Sequence, residues 1–307
     1  MILIAGIPSE PPLAMVMTEL SKLSIPYITF NQREFADIQF TFEILNDKIT
    51  GSLVMHDRRY RLEDIRGVYS RIMDEQTLPE LQHESPTSNK RRYCRALHDA
   101  LIRWCEINPA RVINRVEAMG SNSSKPYQSQ IINEHGFYTP ETIITNQPDL
   151  VLDFLKAHKK IVYKSISGVR SIVHTFDEKD LERLECIRWC PVQFQEYIEG
   201  TNVRVHVVNN KAFSTSVDSD VTDYRYAHTE GNDADLKAID LPEDVEHRCI
   251  KLSRTLGLAF SGIDLKITPD NKIVCFEVNP SPGFSYYEVN TGQPIARTVA
   301  RYLAGIE

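Results

Sequence analysis

The chain has 307 residues, is 42% hydrophobic and 25% charged, and carries a formal net charge of −7. This composition excludes collagen-like and disordered classes, and the length suffices for about two or three packed units. An acidic balance, with a sequence pI near 5.8, lacks the basic surplus that nucleic-acid binding relies on.

No window approaches the roughly 18 uninterrupted apolar residues of a membrane span, and MILIAG opens without a basic leader. Six cysteines with no CxxC pair do not make a disulfide framework, and Cys186 and Cys190 read as buried thiols. These features set the expectation of a cytoplasmic protein with neither nucleic acid nor membrane as partner.

MILIA reads as a buried strand, followed by the loop GIPSEPP, a helix from Leu13 to Leu23 and a strand YITFN at 27–31. Strand, helix, strand in about thirty residues begins an α/β sheet. A single glycine in the first loop lacks the dinucleotide fingerprint. FTFEIL and TGSLVMH, separated by NDK, form a hairpin pattern. The next strand ends near Arg71, at a carboxyl end where α/β sheets place ligand contacts. NKRRYCRALHDALIRWCE is helical with Leu97, Leu101 and Trp104 on one side, and its KRR cluster reads as a solvated face.

The middle third gives a short strand at 111–113 and a helix over roughly 124–134, ended by Gly136 and barred by Pro140. Lys125 falls in that helix's first turn, where the helix dipole disfavours a cation, a conflict that either an anion nearby or exposure at the surface would resolve. KKIVYKSISGVRSIVHTF reads as strand, tight loop, strand. It puts Lys164 at a cleft edge, before a loop whose hydroxyls, backbone N–H groups and Arg170 suit phosphate.

In the carboxyl third, VRVHVV alternates cleanly, with Arg204 and His206 on one face and valines on the other. One face is therefore wet or functional, and His206 reads as an exposed strand residue. The acidic segment 218–246 has no sustained period and reads as a long mobile connection that could fold as a lid over a cleft, or as a solvated loop. KLSRTLGLAFSG gives a helix closing at Gly257, and the last helix, from about Pro294, turns Ile295, Val299 and Leu303 inward.

The strands at about 262–268 and 272–279 flank the turn TPDNK. A hairpin centred between Asp270 and Asn271 pairs Asp264 with Glu277 and puts Cys275, Glu277 and Asn279 on one face. Opposed carboxylates repel, and acids in apolar strands require neutralisation. Asp264, Glu277 and the Asn279 amide oxygen are hard ligands suited to magnesium. The alternative is a solvent-facing hairpin on which Lys266 offsets the charge.

KPYQSQIINEHGFYTPET, IVYKSISGVRS, QEYIEGTNVRVHVV and FSGIDLKITPDNKIVCFEVNPSPGF, in that order, resemble the ATP-grasp carboxylate–amine ligases. The nearer resemblance is to the branch of ribosomal-protein glutamate ligases, glutathione-synthetase-like enzymes and peptide maturases. It implies an α/β protein, α+β in its grasp portion. An N-terminal α/β pre-grasp domain at 1–108 would precede a central subdomain at 109–190 and a C-terminal one at 191–307, with ATP held between the last two.

The resemblance implies that Lys125 and Lys164 contact nucleotide phosphates and that Glu196, Tyr197 and Ile198 lie beside adenine. It makes Asp264, Glu277 and Asn279 magnesium ligands, as two ions with manganese an acceptable replacement. Arg204 would steady the transferred phosphate, with Arg71 as partner. The glycine-poor loop after Lys164 assigns phosphate contacts to Ser165, Ser167, Gly168, Arg170 or Ser171, and Asn202 stands where relatives commonly have a carboxylate that contacts ribose. The implied reaction joins a carboxylate to an amine or hydroxyl of an amino acid, peptide or small carboxylic acid, with Asp218, Asp220 and Asp223 as bases to consider. A phosphotransferase and a non-catalytic nucleotide-binding module are the alternatives, and a homodimer is the base-rate assembly.

Overall fold

The computed structural model describes residues 1–46, 48–166, 173–218 and 235–306. β1 (Ile2–Gly6), α1 (Pro11–Lys22) and β2 (Tyr27–Asn31) open the chain as expected. A three-stranded antiparallel meander follows, made of β3 (Ile38–Leu45), β4 (Lys48–Met55) and β5 (Arg58–Arg61). The third strand adds to the hairpin that the sequence predicts, and its four residues, rich in arginine, carry no apolar alternation. β6 (Gly67–Ser70), the long helix α2 (Asn89–Ile107) and β7 (Arg111–Ile113) complete this third of the chain.

β2, β1, β6 and β7 pair in that order as a parallel sheet. Parallel sheets bury both faces, and β1 does so residue by residue. Leu3 and Ala5 join the core under α2, while Ile2 and Ile4 face α1 on the other side. α2 buries Cys94, Leu97, Leu101 and Trp104 at helical spacing, and Ser88 caps it by accepting from the Arg91 N–H at 3.2 Å. The KRR cluster is not wholly a solvated face. Arg91 is buried, donating to the Leu81 carbonyl at 2.6 Å.

Downstream come α3 (Val116–Met119), α4 (Lys125–Glu134), β8 (Thr142–Thr145), α5 (Pro148–His158), β9 (Ile161–Lys164), β10 (His174–Thr175), α6 (Glu178–Glu182) and β11 (Val192–Glu196). The four strands form an antiparallel sheet ordered β10-β9-β11-β8, backed by a small core around Val151, Leu184 and Phe194. Cys186 and Cys190 are exposed rather than buried, because they lie in and just after a short 3₁₀ segment that turns Leu184 and Ile187 inward instead.

The remainder comprises β12 (Thr201–Val208), β13 (Lys211–Asp218), β14 (Asp235–Ile239), α7 (Glu243–Thr255), β15 (Phe260–Ile267), β16 (Ile273–Asn279), α8 (Ser285–Thr291) and α9 (Ile295–Ala304). The described ends of the acidic segment are therefore ordered elements, not a mobile connection. β14 pairs with β13, and α7 begins at Glu243 with three acids in its first turn, which suits the helix dipole.

β14, β13, β12, β15 and β16 make an antiparallel sheet. Its inner face sets Val203, Val205, Val207, Ile263 and Leu265 against α7. α9 returns to the first sheet, where Ile295, Val299 and Leu303 pack with Ile2, Ile4, Leu13 and Val16. Among the described residues, no helix is long and apolar enough to cross a membrane.

Leu303 is fully buried in this core. Leu303→Ala is expected to cost about 2–5 kcal/mol through lost transfer energy and a residual cavity, read as a lower midpoint in chemical denaturation.

Candidate active site

Asp264 and Glu277 face each other on β15 and β16, as the sequence predicts. The route to that pairing differs. Near the turn the register is one residue out of step with the expected one, with Leu265 opposite Cys275 and Ile267 opposite Ile273. Thr268 N–H donates to the Lys272 carbonyl and Asn271 adopts φ 61°, so the loop has three residues with a left-handed one, a common hairpin closure.

A β-bulge between Asp264 and Leu265 then absorbs Phe276 and restores the pairing. A bulge re-aims side chains on its strand. Cys275 is consequently not on the face of Glu277: it lies at 0% exposure in the α7 core, where burial pushes its thiol far up. Phe276 and Glu277 both line the cleft.

The like-charge pair is closed at each end by a cation. Arg204, opposite Asp264 on β12, donates Nη1 to Asp264 Oδ1 at 2.6 Å. Lys125, at the start of α4, places Nζ 2.6 Å from Glu277 Oε2 and 3.0 Å from Asn122 Oδ1. The conflict between Lys125 and the dipole of its own helix is thus resolved by the anion it faces. All four side chains of this row are largely buried, the most exposed at 21%, so removal of one charge leaves its partner uncompensated.

β16 is an edge strand, and its outer side is covered. Tyr138 pairs with Val274 as an isolated parallel bridge, accepting from Cys275 N–H at 2.8 Å and donating to the Ile273 carbonyl. Asn114, at the end of β7, ties the same hairpin to the first sheet. Its amide nitrogen donates to the Phe260 and Pro280 carbonyls at 2.6 and 2.5 Å, and its oxygen accepts from the Ala259 and Phe260 N–H groups.

Beside the row lies an open cleft of about 760 Å³ between the central sheet and β15–β16. Lys164, Glu196, Tyr197, Ile198, Asn202, Asp264 and Glu277 all line it. Lys164 also lines an adjoining hollow together with Lys125 and Phe276, so the two predicted lysines meet at that hollow and Lys164 reaches both spaces. Ser165 is described and exposed. Ser167, Gly168, Arg170 and Ser171 lie outside the described residues, as do Asp220 and Asp223. Asp218 ends β13 on the exposed surface.

The three residues expected beside a base differ in what they offer. Glu196 N–H donates to the Glu141 carbonyl and Tyr197 N–H to the Lys160 carbonyl. The Glu196 carboxylate turns to the Glu141 N–H at 2.9 Å, with His158 Nδ1 3.8 Å away. Lys266 does more than offset charge on the hairpin: it enters the cleft. It stands opposite Asn202, donates to the Ile198 carbonyl at 3.0 Å and lies over the Tyr197 ring. Burial, reinforced by Lys160, lowers its pKa. Alternation on β15 puts Lys266 on the face of Asp264, which is the signal that would have found it.

Asn279 faces Gly262, and its side-chain oxygen accepts from Ser281 N–H at 2.9 Å. Arg71 does not touch the carboxylate row in the described contacts. It pairs with Glu10 at 2.6 Å and donates to Ser281 Oγ and the Pro282 carbonyl, bracing the turn that follows Asn279.

His206 shares the face of Arg204 but is not exposed. Its accessibility is 0%, with the ring 4.8 Å from the Tyr287 ring of α8 and 6.3 Å from Phe260. α8 covers this face, a tertiary event that alternation does not encode. Burial, with Arg204 close by, holds the imidazole well below its ordinary pKa of 6.5.

A family model described as the RimK-like ATP-grasp domain matches residues 122–303. This chain belongs to the RimK-like ATP-grasp family. It is an enzyme of the ATP-grasp ligase class. Among curated proteins it is similar to a probable alpha-L-glutamate ligase of Vibrio atlanticus (strain LGP32), 24% identical over 66% of this chain and 70% of that one. A probable alpha-L-glutamate ligase of Pseudomonas paraeruginosa (strain DSM 24068 / PA7) is 28% identical over the same shares.

Among solved structures it resembles a Chryseobacterium gregarium RiPP-associated ATP-grasp ligase in complex with ADP, a leader and a core peptide. The TM-score is 0.86 at 22% identity, over 100% of this chain and 97% of that one. Macrocyclase MdnC of Microcystis aeruginosa MRC, bound with precursor peptide MdnA, gives a TM-score of 0.82 at 20% identity, over 99% and 100% of the two chains. The fold of this ligase is therefore the ATP-grasp architecture.

Two predictions follow from the row and its cover. A Cβ at Gly262 would lie 2.0 Å from Arg204 Nη2, and the guanidinium is the far end of a flexible chain. Gly262→Ala should displace Arg204 from Asp264, and so lower both the denaturation midpoint and turnover about as far as Arg204→Ala does.

For His206, the unfolded state takes up the proton more readily than the folded one. Its contribution to stability is present above pH 6.5 and is lost as pH falls below that value. Denaturation midpoints of wild type should fall more steeply from pH 7 to 5 (roughly the window the depressed imidazole sets) than those of His206→Phe.

Proposed function

We propose that this ligase uses ATP and magnesium to activate a carboxylate as an acyl-phosphate and joins it to an amine or hydroxyl of an amino acid or peptide. The observation that carries this reading is convergence. Lys164 and the Asp264–Glu277 pair line one cleft, and Lys125 shares an adjoining hollow with Lys164 and pairs with Glu277, although they come from three separate parts of the chain.

The donor set fits magnesium. Asp264 and Glu277 are carboxylates held opposite each other, and each faces a cation at 2.6 Å, the kind of charge a metal would supply in their place. Among the described residues no three His, Cys, Asp or Glu side chains are grouped so as to hold a metal ion, and the third donor in this reading is the Asn279 amide. Magnesium, bound by Asp264, Glu277 and Asn279 as two ions or replaced by manganese, would offset charge on the phosphates.

The chain's own groups do the rest. Lys125 and Lys164 offer ammonium groups to phosphate oxygens, and Ile198, Phe276 and Leu265 give the cleft apolar walls for a base. A substrate carboxylate attacks the γ-phosphorus and ADP departs. The incoming amine or hydroxyl then attacks the acyl carbon and phosphate departs. Arg204, fixed against Asp264, stabilises charge on the transferred phosphoryl group. Alignment contributes most of the acceleration, and no side chain needs to act as a covalent nucleophile.

Asn202 and Lys266 present amide and ammonium groups where a carboxylate would accept from ribose hydroxyls, so sugar contacts here would come largely from donors. Arg71 serves in this reading by holding the Ser281–Pro282 turn rather than by touching phosphate.

Peptides and amino acids as substrates are supported by the relatives, which include ligases bound with leader, core and precursor peptides. A division into units at about 1–108, 109–190 and 191–307 belongs to this reading and is supported by the separate sheets, although β11 carries the central sheet on to Glu196. A cytoplasmic location and a homodimer complete it, the latter on base rates.

The test is calorimetric titration with a non-hydrolysable ATP analogue, with and without magnesium. Wild type should bind in a magnesium-dependent manner, and Glu277→Gln should lose that dependence while its circular dichroism spectrum is unchanged. Equal binding by the two proteins at every magnesium concentration would overturn the metal assignment.

A further inference from the structure

Gln128 is 1% exposed and lies one turn after Lys125 on α4. Its side chain makes a two-point clamp on the backbone of one residue. Nε2 donates to the Val278 carbonyl at 2.9 Å, and Oε1 accepts from the Val278 N–H at 2.9 Å. A primary amide presents donor and acceptor side by side, as a neighbouring strand does. Gln128 therefore takes the place of a strand on the outer edge of β16, just beyond the bulge, while Ile263 of β15 stands opposite Val278 on the inner side.

Val278 sits between Glu277 and Asn279, and its own side chain is buried in the α7 core. Glu277 lines the cleft and Asn279, two positions along the strand, shares its face, so the clamp fixes the peptide units from which the acid and the amide extend. Because Lys125 and Gln128 share one helix turn, the same element that sets Lys125 2.6 Å from Glu277 also sets the backbone of Glu277. Gln130, for comparison, is exposed.

We infer that Gln128 is a positioning residue for the metal-binding hairpin, acting through the Val278 backbone on Glu277 and Asn279. This rests on the reading of Asp264, Glu277 and Asn279 as the magnesium site. Residues that orient metal ligands typically affect metal affinity by about 10–100-fold when replaced.

The experiment titrates magnesium against the full chain at a fixed saturating concentration of the non-hydrolysable ATP analogue. Gln128→Met removes both hydrogen bonds and keeps the length of the side chain. Gln128→Glu keeps the acceptor for Val278 N–H, loses the donor and keeps a folded variant available if the first is unstable. Gln130→Leu is the control.

Gln128→Met is expected to raise the half-saturating magnesium concentration by about tenfold or more, and Gln128→Glu by less, with the control unchanged. In the same samples, analogue binding measured at very high magnesium should recover to the wild-type level. A half-saturating concentration equal to wild type in either folded Gln128 variant overturns the inference and leaves the metal assignment standing. A loss of binding that excess magnesium does not restore also overturns it, because that marks a merely structural role. Wild-type protein without magnesium-dependent binding overturns both.

Discussion

Two carboxylates opposed across antiparallel strands are the constraint around which this molecule is organised. Asp264 and Glu277 would repel, and in a largely buried setting that repulsion is not screened by water. The chain closes the pair with Arg204 from within the same sheet and Lys125 from a helix outside it. The result is a transverse row of charge, positive, negative, negative, positive, spanning β12, β15, β16 and α4. Each neighbour in the row comes from a different segment, so the row forms only when the sheet is complete and α4 is docked.

The surrounding structure makes that docking possible. β16 carries the acid on the outermost strand of its sheet, and an edge strand exposes unpaired backbone groups. Tyr138 and Gln128 cover that edge from the segment just before the central sheet. Asn114 holds the base of the hairpin to the parallel sheet, while Arg71 and Glu10 brace the turn beyond it. α9, packed on α1 and β1, completes the layer from which Asn114 and Arg71 extend.

Much of this was legible in the sequence because residue chemistry and period-two alternation carry it. The opening strand–helix–strand, α2, the helix beginning at Lys125, and the pairing of Asp264 with Glu277 all follow from local pattern. The family motifs follow from four stretches in order. What was not legible depends on long-range contact. The bulge at Phe276 arises from a three-residue turn one step out of the expected register, and no local pattern announces it. His206 alternates like an exposed residue and is buried only because α8 folds over it. Gln128 looks like any polar helix residue until β16 arrives beside it. β5 and β14 are short edge strands whose charged composition hides them.

The side chains that hold this charged hairpin in place are mostly amides. Asn114 and Gln128 bond backbone groups at Ala259, Phe260, Val278 and Pro280. Gln32 does the same at Met73, beyond Arg71, accepting from its N–H at 2.8 Å and donating to its carbonyl at 3.2 Å. An amide has no proton to gain or lose in the ordinary range of pH. This part of the frame is thus built from groups that ignore acidity, which leaves the pH response of the scaffold to ionisable side chains such as the buried His206.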